Sequence, residues 1–259
     1  MSEIKTERIL VTGGSAGLGR AMVESFLARG ADVTAVARDQ AKLEAVARLG
    51  ARVIAGDTCH AAFMDHVVKE IMPTVLVLNA GARLNVGTID TLTFDEFSTN
   101  WNTDVKGGFC GIQAALKAPM PKGSRVLLMS SGAAMVLSAP QIPPASLQLS
   151  GGYIGAKRML WFMAHSANAV ARERGLDIHF QALLPMQLMA GTMLGHSVAC
   201  EYATRSGLSV EDYLFKRYGP PMSPAHVGEQ VADMLDGAKF RSGVAYGLRL
   251  GPEPLLLDV

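Results

Sequence analysis

The stretch that decides the fold lies near the start of the chain, at residues 8–19, and reads RILVTGGSAGLG. Its first part is a short apolar run, typical of a buried strand, and it ends in a loop with the spacing Thr12-Gly-x-x-x-Gly17-x-Gly19. Apolar residues then recur at helical spacing up to a terminating Gly30, at Met22, Val23, Phe26 and Leu27. Glycines permit the tight turn, and the free N–H groups of the following helix favour an anion such as a pyrophosphate. A tight turn without a ligand is the alternative.

The rest of the chain alternates strand and helix patterns. Further strands are predicted at residues 33–37, 52–55, 74–78, 125–129, 177–184 and 244–250. Helices are predicted around residues 43–50 and 67–71, from a capping box of Thr93 and Glu96, over residues 153–174, and from Ser223 and Pro224 through Leu235. This alternation predicts an α/β fold, a doubly wound parallel sheet with helices on both faces, in a single domain spanning residues 1–259. Two stretches are expected to be irregular, residues 133–152 and 186–221.

Composition excludes several classes of function. The net charge of +1 gives no basic surface for nucleic acid or for an anionic membrane, and no apolar run is long enough to span a bilayer. No signal-peptide pattern is present at the N-terminus. Three widely spaced cysteines, Cys59, Cys110 and Cys200, argue against a disulfide framework and favour the cytoplasm. The histidines do not fall at metal-ligand spacing, so no metal site is predicted.

Five motifs together resemble the short-chain dehydrogenase/reductase family. They are the glycine loop, Asp57 after the third strand, Asn79-Ala80-Gly81 after the fourth, Ser130-Ser131 after the fifth, and Tyr153-x-x-x-Lys157. The resemblance runs from Arg8 to about Leu235. It implies a Rossmann-like fold, a nicotinamide cofactor, and a homodimer or homotetramer.

The chemistry of the last motif follows from its spacing. Tyr153 and Lys157 are four residues apart, so on a helix they share a face. A neighbouring ammonium favours the phenolate form of a tyrosine, which suits that tyrosine to exchange a proton with a carbonyl or alcohol oxygen. Ser131 would hold that oxygen by a hydrogen bond, and Lys157 would also bind the nicotinamide ribose. The alternative is an ordinary exposed helix face.

The resemblance also implies which residues bind the cofactor. The expected set is Thr12, Gly13, Ser15, Gly17, Leu18, Gly19, Arg38, Asp57, Thr58, Asn79, Ala80, Gly81, Tyr153, Lys157 and Pro185. Within it, Asp57 would contact the adenine and Asn79 would steady the central strand. The alternatives are a solvated loop carboxylate at Asp57 and an ordinary turn residue at Asn79.

The sequence departs from the family pattern in three places. Where the family usually has an Asn that holds a water leading to the lysine, this chain has Asp104, in the segment Asp104-Val105-Lys106-Gly107. We expect Asp104 to be a fourth catalytic residue; the alternative is a surface ion pair with Lys106. The interval between Ser131 and Tyr153 is longer than usual, and Ser138 lies inside it. Pro185-Met186 replaces the usual Pro-Gly, and Thr192 lies two positions beyond the usual threonine.

The end of the second predicted strand bears on the choice of cofactor. An enzyme specific for NAD typically has an acidic residue there, but this chain has Ala37 followed by Arg38. An arginine can pair with the 2′-phosphate of NADP, although Asp39 could partly cancel its charge. The position before Gly17 is Ala16, where many NADP enzymes of the family carry a base. NADP is therefore predicted over NAD; the alternative role for Arg38 is a solvated charge at a helix start.

These observations predict a carbonyl reductase or alcohol dehydrogenase. The substrate would be a small to medium, mainly apolar ketone, aldehyde or alcohol, bound by the region of residues 186–221. This region contains Met186, Met189 and Met193, whose flexible side chains suit an adaptable apolar pocket. The alternative is that these methionines belong to the hydrophobic core. The competing interpretation is a non-catalytic dinucleotide sensor or scaffold with the same fold. A sugar epimerase or dehydratase fits poorly, because those relatives usually carry more C-terminal sequence and a differently spaced glycine motif.

Overall fold

The structure is a computed structural model that describes residues 3–135, 148–189, 191–251 and 253–258. Within these residues the strands form one sheet of eight, in the order β3-β2-β1-β4-β5-β6-β7-β8. The strands are β1 (Arg8–Thr12), β2 (Asp32–Ala37), β3 (Arg52–Ala55), β4 (Val75–Leu78), β5 (Ser124–Met129), β6 (Ile178–Pro185), β7 (Ala245–Leu248) and β8 (Leu255–Asp258). All pairings are parallel except the antiparallel pairing of β7 with β8.

Helices connect the strands and cover both faces of the sheet. They are α1 (Gly17–Ala28), α2 (Gln40–Ala47), α3 (Ala61–Ile71), α4 (Phe94–Asn100), α5 (Lys106–Lys117), α6 (Gly151–Glu173), α7 (Met193–Arg205), α8 (Val210–Tyr218) and α9 (Pro224–Asp236). A π-helical segment, Trp101–Val105, joins α4 to α5. One core cluster lies under α1 and α9, with Phe26 and Val231 at its centre, and a second lies under α3, α5 and α6. The predicted doubly wound α/β fold is confirmed.

The order of the strands fixes where a ligand can enter. β2 and β3 are added to the sheet on one side of β1, and β4 pairs with β1 on its other side. In register, Val11 of β1 pairs with Ala35 on one side and Val77 on the other. The loops that follow β1 and β4 therefore diverge and leave a crevice at their carboxyl ends, where sheets of this kind bind ligands.

Local signals account for the helix starts. The side chain of Thr93 accepts a hydrogen bond from the backbone of Glu96, and Glu96 reaches back to Thr93, so the predicted capping box is present. Ser223 caps α9 by accepting from the N–H of His226 at 3.1 Å, and Pro224 is the first residue of that helix.

Two expectations about the C-terminal part of the chain were wrong. Residues 186–221 are not irregular, because they contain α7 and α8, each begun by a side-chain cap at Thr192 and Ser209. The sheet also has an eighth strand, β8, which the sequence analysis did not predict. Of the other stretch expected to be irregular, residues 133–135 belong to a 3₁₀ turn and residues 151 and 152 already begin α6, whereas residues 136–147, with Ser138, lie outside the described part of the chain. Among the described residues, no helix has the length and apolar character needed to span a membrane.

Candidate active site

The carboxyl ends of the central strands open into one cavity of about 690 Å³. It brings together nearly all the residues that the sequence predicted for the site: Gly13, Ser15, Gly17, Leu18, Gly19, Arg38, Asp57, Thr58, Asn79, Ala80, Gly81, Asp104, Ser131, Tyr153, Lys157 and Pro185. These residues come from the loops after β1 to β5, from the starts of α1 and α6, from the π-helical segment and from the end of β6. The cavity extends from the carboxyl end of β2, past the glycine loop, to the segment that carries α7 and α8.

Thr12 is the one predicted site residue that does not line the cavity. It is buried, and its hydroxyl donates to the carbonyl of Val77 at 3.1 Å. The same oxygen accepts from the backbone N–H groups of Asn79 at 2.9 Å and Ala80 at 3.1 Å. Thr12 thus links the end of β1 to the loop after β4 and holds in place the loop residues that line the cavity.

The glycine loop leaves room for a ligand because side chains would fill or distort it. Gly13 has φ +67° and Gly17 has φ +53°, a region that side chains rarely adopt. A Cβ on Gly19 would collide with the carbonyl oxygen of Gly13. Ala16 offers no side-chain cap to α1, so the first N–H groups of that helix remain available to the cavity. An open backbone cradle at a helix N-terminus fits the pyrophosphate of a dinucleotide.

The Asn79 side chain fixes the position of this loop. Its amide donates to the carbonyls of Thr12 at 3.1 Å and Gly13 at 3.4 Å. The side chain therefore links the loop after β4 to the start of the glycine loop.

Charges at the β2 end of the cavity are arranged by the start of α2. Asp39 caps this helix by accepting from the N–H of Lys42 at 3.1 Å, and its carboxylate forms an ion pair with the Lys42 ammonium at 3.0 Å. Hydrogen bonds from Lys42 lower the pKa of the Asp39 carboxyl. Asp39 is thus already paired, which leaves the neighbouring Arg38 facing the cavity with its own charge. Nearby, Asp57 accepts from the N–H of Cys59 at 2.9 Å, and this bond lowers its pKa.

The two serines after β5 have different environments. The Ser130 hydroxyl is buried and donates to the carbonyl of Lys157 at 2.7 Å. Ser131 lines the cavity, and its oxygen accepts from the N–H of Ala133 at 3.2 Å. Because a hydroxyl has one donor and two acceptor positions, the Ser131 proton remains available to an oxygen in the cavity.

Tyr153 and Lys157 lie on the first turns of α6 and face the cavity. The Lys157 nitrogen is 5.6 Å from the centre of the Tyr153 ring. It donates to the carbonyl of Met129 at 3.1 Å and forms an ion pair with Asp104 at 3.0 Å. Burial opposes the charged form of Lys157, but Asp104 and Tyr153 favour it, so the pKa of the lysine is raised above its ordinary value. An ammonium has three donors, so one remains for a ligand.

Asp104 is buried against Lys157 and is not a surface carboxylate. Only 2% of its side chain is exposed. One carboxylate oxygen meets Lys157, and the other accepts from the N–H of Ala82 at 2.8 Å and from the Thr103 hydroxyl at 2.9 Å. It lies in the π-helical segment Trp101–Val105, an irregularity often found at functional sites. Asp104 thus connects the loop after β4 with the lysine of α6.

The far end of the cavity is built by the segment that follows β6. Its lining there is mainly apolar and aromatic, and comprises Met186, Leu188, Met189, Val198, Tyr202 and Tyr218, with Gln187, Thr192 and Arg217. The Gln187 amide donates to the carbonyl of Tyr218 at 3.2 Å and accepts from the N–H of Met222 at 3.0 Å, which ties the two ends of the segment together. The Met193 side chain lies outside the described residues.

Tyr202 connects α7 to the start of the catalytic helix. Its hydroxyl is hydrogen-bonded to Ser150, which immediately precedes α6. Burial raises the pKa of Tyr202 to about 12. Tyr202 is therefore a neutral hydrogen-bonding group at physiological pH, close to Tyr153.

The cavity residues that the sequence analysis did not name include Lys42, Tyr202, Arg217 and Tyr218. Lys42 could have been predicted, because it lies three residues after Asp39. A helix that begins with Asp39 as its N-cap places Lys42 in its first turn, at the β2 end of the cavity. The other three lie on α7 and α8, which the sequence analysis did not predict. Within the described ranges, no group of three or more His, Cys, Asp or Glu side chains could hold a metal ion.

Sequence comparison relates this chain to known dehydrogenases. The family model described as short chain dehydrogenase matches residues 7–143. The cis-2,3-dihydrobiphenyl-2,3-diol dehydrogenase of Rhodococcus globerulus is 31% identical over 207 residues, which cover 74% of this chain and 69% of that protein. The cis-1,2-dihydrobenzene-1,2-diol dehydrogenase of Pseudomonas putida is 33% identical over 141 residues, covering 49% of this chain. That match spans 51%, about half, of the relative's own length.

A solved structure shows the same fold. The crystal structure of an actinorhodin polyketide ketoreductase variant with NADPH superimposes with a TM-score of 0.78 and covers 96% of this chain and 97% of its own. Its sequence identity is 21%, so the likeness concerns the fold. The strand order and the matching family model, together with the 31% identical relative, lead to one conclusion: this chain is a member of the short-chain dehydrogenase family of oxidoreductases.

Proposed function

We propose that this protein transfers hydride between NADP(H) and a carbonyl or alcohol substrate. The observation that carries the proposal is the buried cation of Lys157, held by Asp104 at 3.0 Å and placed 5.6 Å from the Tyr153 ring within one cavity. A buried charge is costly unless it is paired, and here it is paired beside a phenol that faces a ligand cavity. Such an arrangement suits proton transfer at an oxygen atom.

Each side chain has a distinct task in this mechanism. Tyr153 donates its proton to the carbonyl oxygen during reduction and takes it back during alcohol oxidation. Ser131 holds the same oxygen by donating its hydroxyl proton, since its own oxygen already accepts from Ala133. The Lys157 ammonium favours the phenolate of Tyr153 and uses its remaining N–H for the ribose. A bound nicotinamide supplies the hydride or accepts it.

The cofactor would lie along the carboxyl edge of the sheet. The start of α1 and the glycine loop would hold the pyrophosphate, while Asp57 and Thr58 would lie beside the adenine. We favour NADP because Arg38 and Lys42 both line the β2 end, where a 2′-phosphate would sit, and because the nearby Asp39 is paired with Lys42 rather than with Arg38. NAD is the less favoured cofactor.

The substrate is proposed to be a small to medium molecule with an apolar ring or chain. Support comes from the apolar lining contributed by Met186, Leu188, Met189 and Val198, within the proposed substrate-binding region of residues 186–221. The two relatives described above are named dihydrodiol dehydrogenases. Cyclic alcohols, diols and ketones are therefore the first compounds to test.

The test follows nicotinamide absorbance with the purified protein. NADPH and NADH are offered with a panel of cyclic ketones and aldehydes, and NADP⁺ and NAD⁺ with cyclic alcohols and cis-dihydrodiols. Turnover of at least one carbonyl–alcohol pair is expected, with a higher kcat/KM for the phosphorylated cofactor. Tight binding of NADPH without turnover of any member of a broad panel would instead support the alternative, a dinucleotide sensor or scaffold.

We also propose that the protein acts as a homodimer or homotetramer through the outer faces of α5 and α6. Three aromatic side chains line one groove on this surface and are largely exposed: Trp101 (46%), Phe109 (50%) and Phe162 (63%). A second copy of the chain would bury them. Sedimentation should give a mass above that of the monomer, and Phe162→Glu should lower it. Phe215→Glu, on the exposed face of α8, is the matched control and should not.

The remaining proposals concern domain organisation and location. We propose that residues 1–259 act as one domain, because β1 to β8 form a single sheet. A cytoplasmic location is supported by the three cysteines, all of them free thiols in the structure. Fractionation of the source cells with an antibody to the chain would test the location.

A further inference from the structure

Arg217 is an arginine in the substrate end of the cavity that the mechanism above does not use. It lies in the last turn of α8, is half-buried and lines the cavity. Its guanidinium carbon lies 5.4 Å from the centre of the Tyr218 ring. None of the ion pairs between described residues includes Arg217, so its contact within the chain is with an aromatic ring rather than a carboxylate.

Charge is unevenly distributed along the cavity. The carboxylates that line it, among the described residues, are Asp39, Asp57 and Asp104. Asp39 and Asp57 lie at the cofactor end and Asp104 lies beside Lys157 at the catalytic centre; Asp39 and Asp104 are each paired with a lysine at 3.0 Å. The substrate end carries Arg217, and the exposed Arg83 also lines the cavity beside Leu84. Among the described residues, none of the carboxylates that line the cavity forms an ion pair with Arg217, so the charge of Arg217 favours an anion at this end.

Arg217 lines the same cavity as Tyr153 and Ser131. Burial raises the pKa of Tyr218 to about 12, the charges of Tyr213 and Tyr153 add to the increase, and Arg217 opposes it. Tyr153, Arg217 and Tyr218 all line the same cavity. A ligand that fills this cavity would therefore meet both Tyr153 and the Arg217 guanidinium.

We propose that Arg217 forms a carboxylate-binding subsite, so that the substrate is a ring alcohol or ketone that carries a carboxylate group. The inference rests on the proposed function and specifies its substrate class. A guanidinium presents two parallel N–H donors that match a carboxylate, and partial burial strengthens this pairing. The apolar side chains of Leu188 and Val198 would contact the ring, while Tyr218 holds the guanidinium plane by stacking.

The neighbouring Lys216 provides a matched control. It lies in the same last turn of α8 and is exposed, but it does not line the cavity. A basic residue at this helix end has a favourable interaction with the helix dipole whatever the ligand, and both side chains share that effect. Only Arg217 should affect an anion in the cavity.

The first measurement is binding, which does not depend on turnover. Calorimetry with benzoate and its neutral isostere benzamide is performed in the presence of NADP⁺. Wild type and Lys216→Gln should bind benzoate roughly tenfold or more tightly than benzamide, since a charge-assisted hydrogen bond is worth that ratio. In Arg217→Gln the preference should disappear. Equal binding of both ligands by wild type, or an equal loss in the two variants, would overturn the subsite.

The second measurement separates the subsite from the proposed function. The substrates are 3-oxocyclohexanecarboxylate and its methyl ester, followed by cofactor absorbance. A higher kcat/KM for the acid, lost in Arg217→Gln but kept in Lys216→Gln, supports the subsite. Turnover of the ester with no preference for the acid overturns the subsite and leaves the oxidoreductase function standing. If neither compound reacts, the binding measurement still decides the subsite, and the panel described above decides the function.

Discussion

Replacement of Asp104 by asparagine should move the pH profile of alcohol oxidation. The carboxylate touches Lys157 at 3.0 Å and is almost wholly buried, so its charge is poorly screened. Asp104→Asn keeps the shape of the side chain and one acceptor oxygen but removes the negative charge. Oxidation requires a deprotonated Tyr153, and a negative charge nearby opposes deprotonation. The limb of the profile in which activity rises with pH should therefore move to lower pH.

The structure sets the size of this shift. Asp104 is 3.0 Å from the Lys157 nitrogen, which is 5.6 Å from the centre of the Tyr153 ring. The Asp104 carboxylate oxygen therefore lies no farther from the centre of the Tyr153 ring than the sum of these two distances. At a separation of ~8 Å and an effective dielectric constant of ~20, the interaction between two unit charges is about 2 kcal/mol, so the displacement of the limb should be readily measurable.

The assay is a profile of kcat/KM against pH with one alcohol. Asp65→Asn is the matched control, because it breaks an Asp–Lys ion pair on the surface, with Lys117 at 3.4 Å, and should leave the profile in place. Superimposable profiles for wild type and Asp104→Asn would refute the electrostatic role of Asp104. A shift to higher pH would refute the sign of the argument.

Two further predictions concern cofactor choice and stability. Arg38→Asp should shift the NADPH/NADH ratio of kcat/KM toward NADH by roughly 2 kcal/mol or more, that is tens-fold, because a charge-assisted phosphate contact is replaced by repulsion. The control is Arg48→Asp, at an exposed residue outside the cavity, which should leave the ratio unchanged. An unchanged ratio for Arg38→Asp would mean that the phosphate binds elsewhere. Burial lowers the pKa of His179 below its ordinary value of 6.5, with Arg125 and Arg172 adding to the effect and a hydrogen bond to Gly243 opposing it. Its neutral form is therefore favoured in the folded state, so this contribution to stability is full above pH 6.5 and is lost as pH falls through the folded-state pKa. In urea unfolding at a series of pH values, His179→Gln should lose less stability on acidification than wild type or the exposed-residue control His60→Gln, and equal losses would contradict the assignment.

The strands and the glycine loop could be predicted because their signals are local. Buried strands such as β4 and β5 are continuous apolar runs, and Gly13 and Gly17 occupy backbone conformations that few other residues adopt. Asp104 stood out as a departure from the family segment, but its partner could not be inferred from spacing alone. The ion pair with Lys157 is a tertiary contact, created where a π-helical segment meets α6.

The helices of the substrate segment were missed for a different reason. α7 and α8 pack on a small separate cluster around Leu149, Tyr202 and Tyr213, so their apolar stripes are short. The caps at Thr192 and Ser209 were available as signals, since each side chain accepts a hydrogen bond from a backbone N–H three residues later. Because Arg217 and Tyr218 end α8, missing the helix also meant missing the charged end of the substrate cavity.

Strand β8 was missed because its apolar core, Leu255 to Leu257, is short. Its pairing with β7 also depends on a reversal of the chain after Leu250. An antiparallel strand can follow its partner directly through a turn, without a helix between them. The alternation of strand and helix patterns used to predict the other strands therefore does not reveal it. The edge strand lies away from the cavity, so this omission did not affect the predicted site.

The most direct test of the mechanism is the removal of one oxygen atom, from Tyr153. Tyr153→Phe keeps the ring beside Lys157 but removes the group that exchanges the proton. With a substrate found in the panel, kcat should fall at least ~10²-fold, the usual contribution of a general acid, while NADPH binding measured by fluorescence is retained. Near-normal turnover by Tyr153→Phe, with cofactor binding intact, would contradict the account.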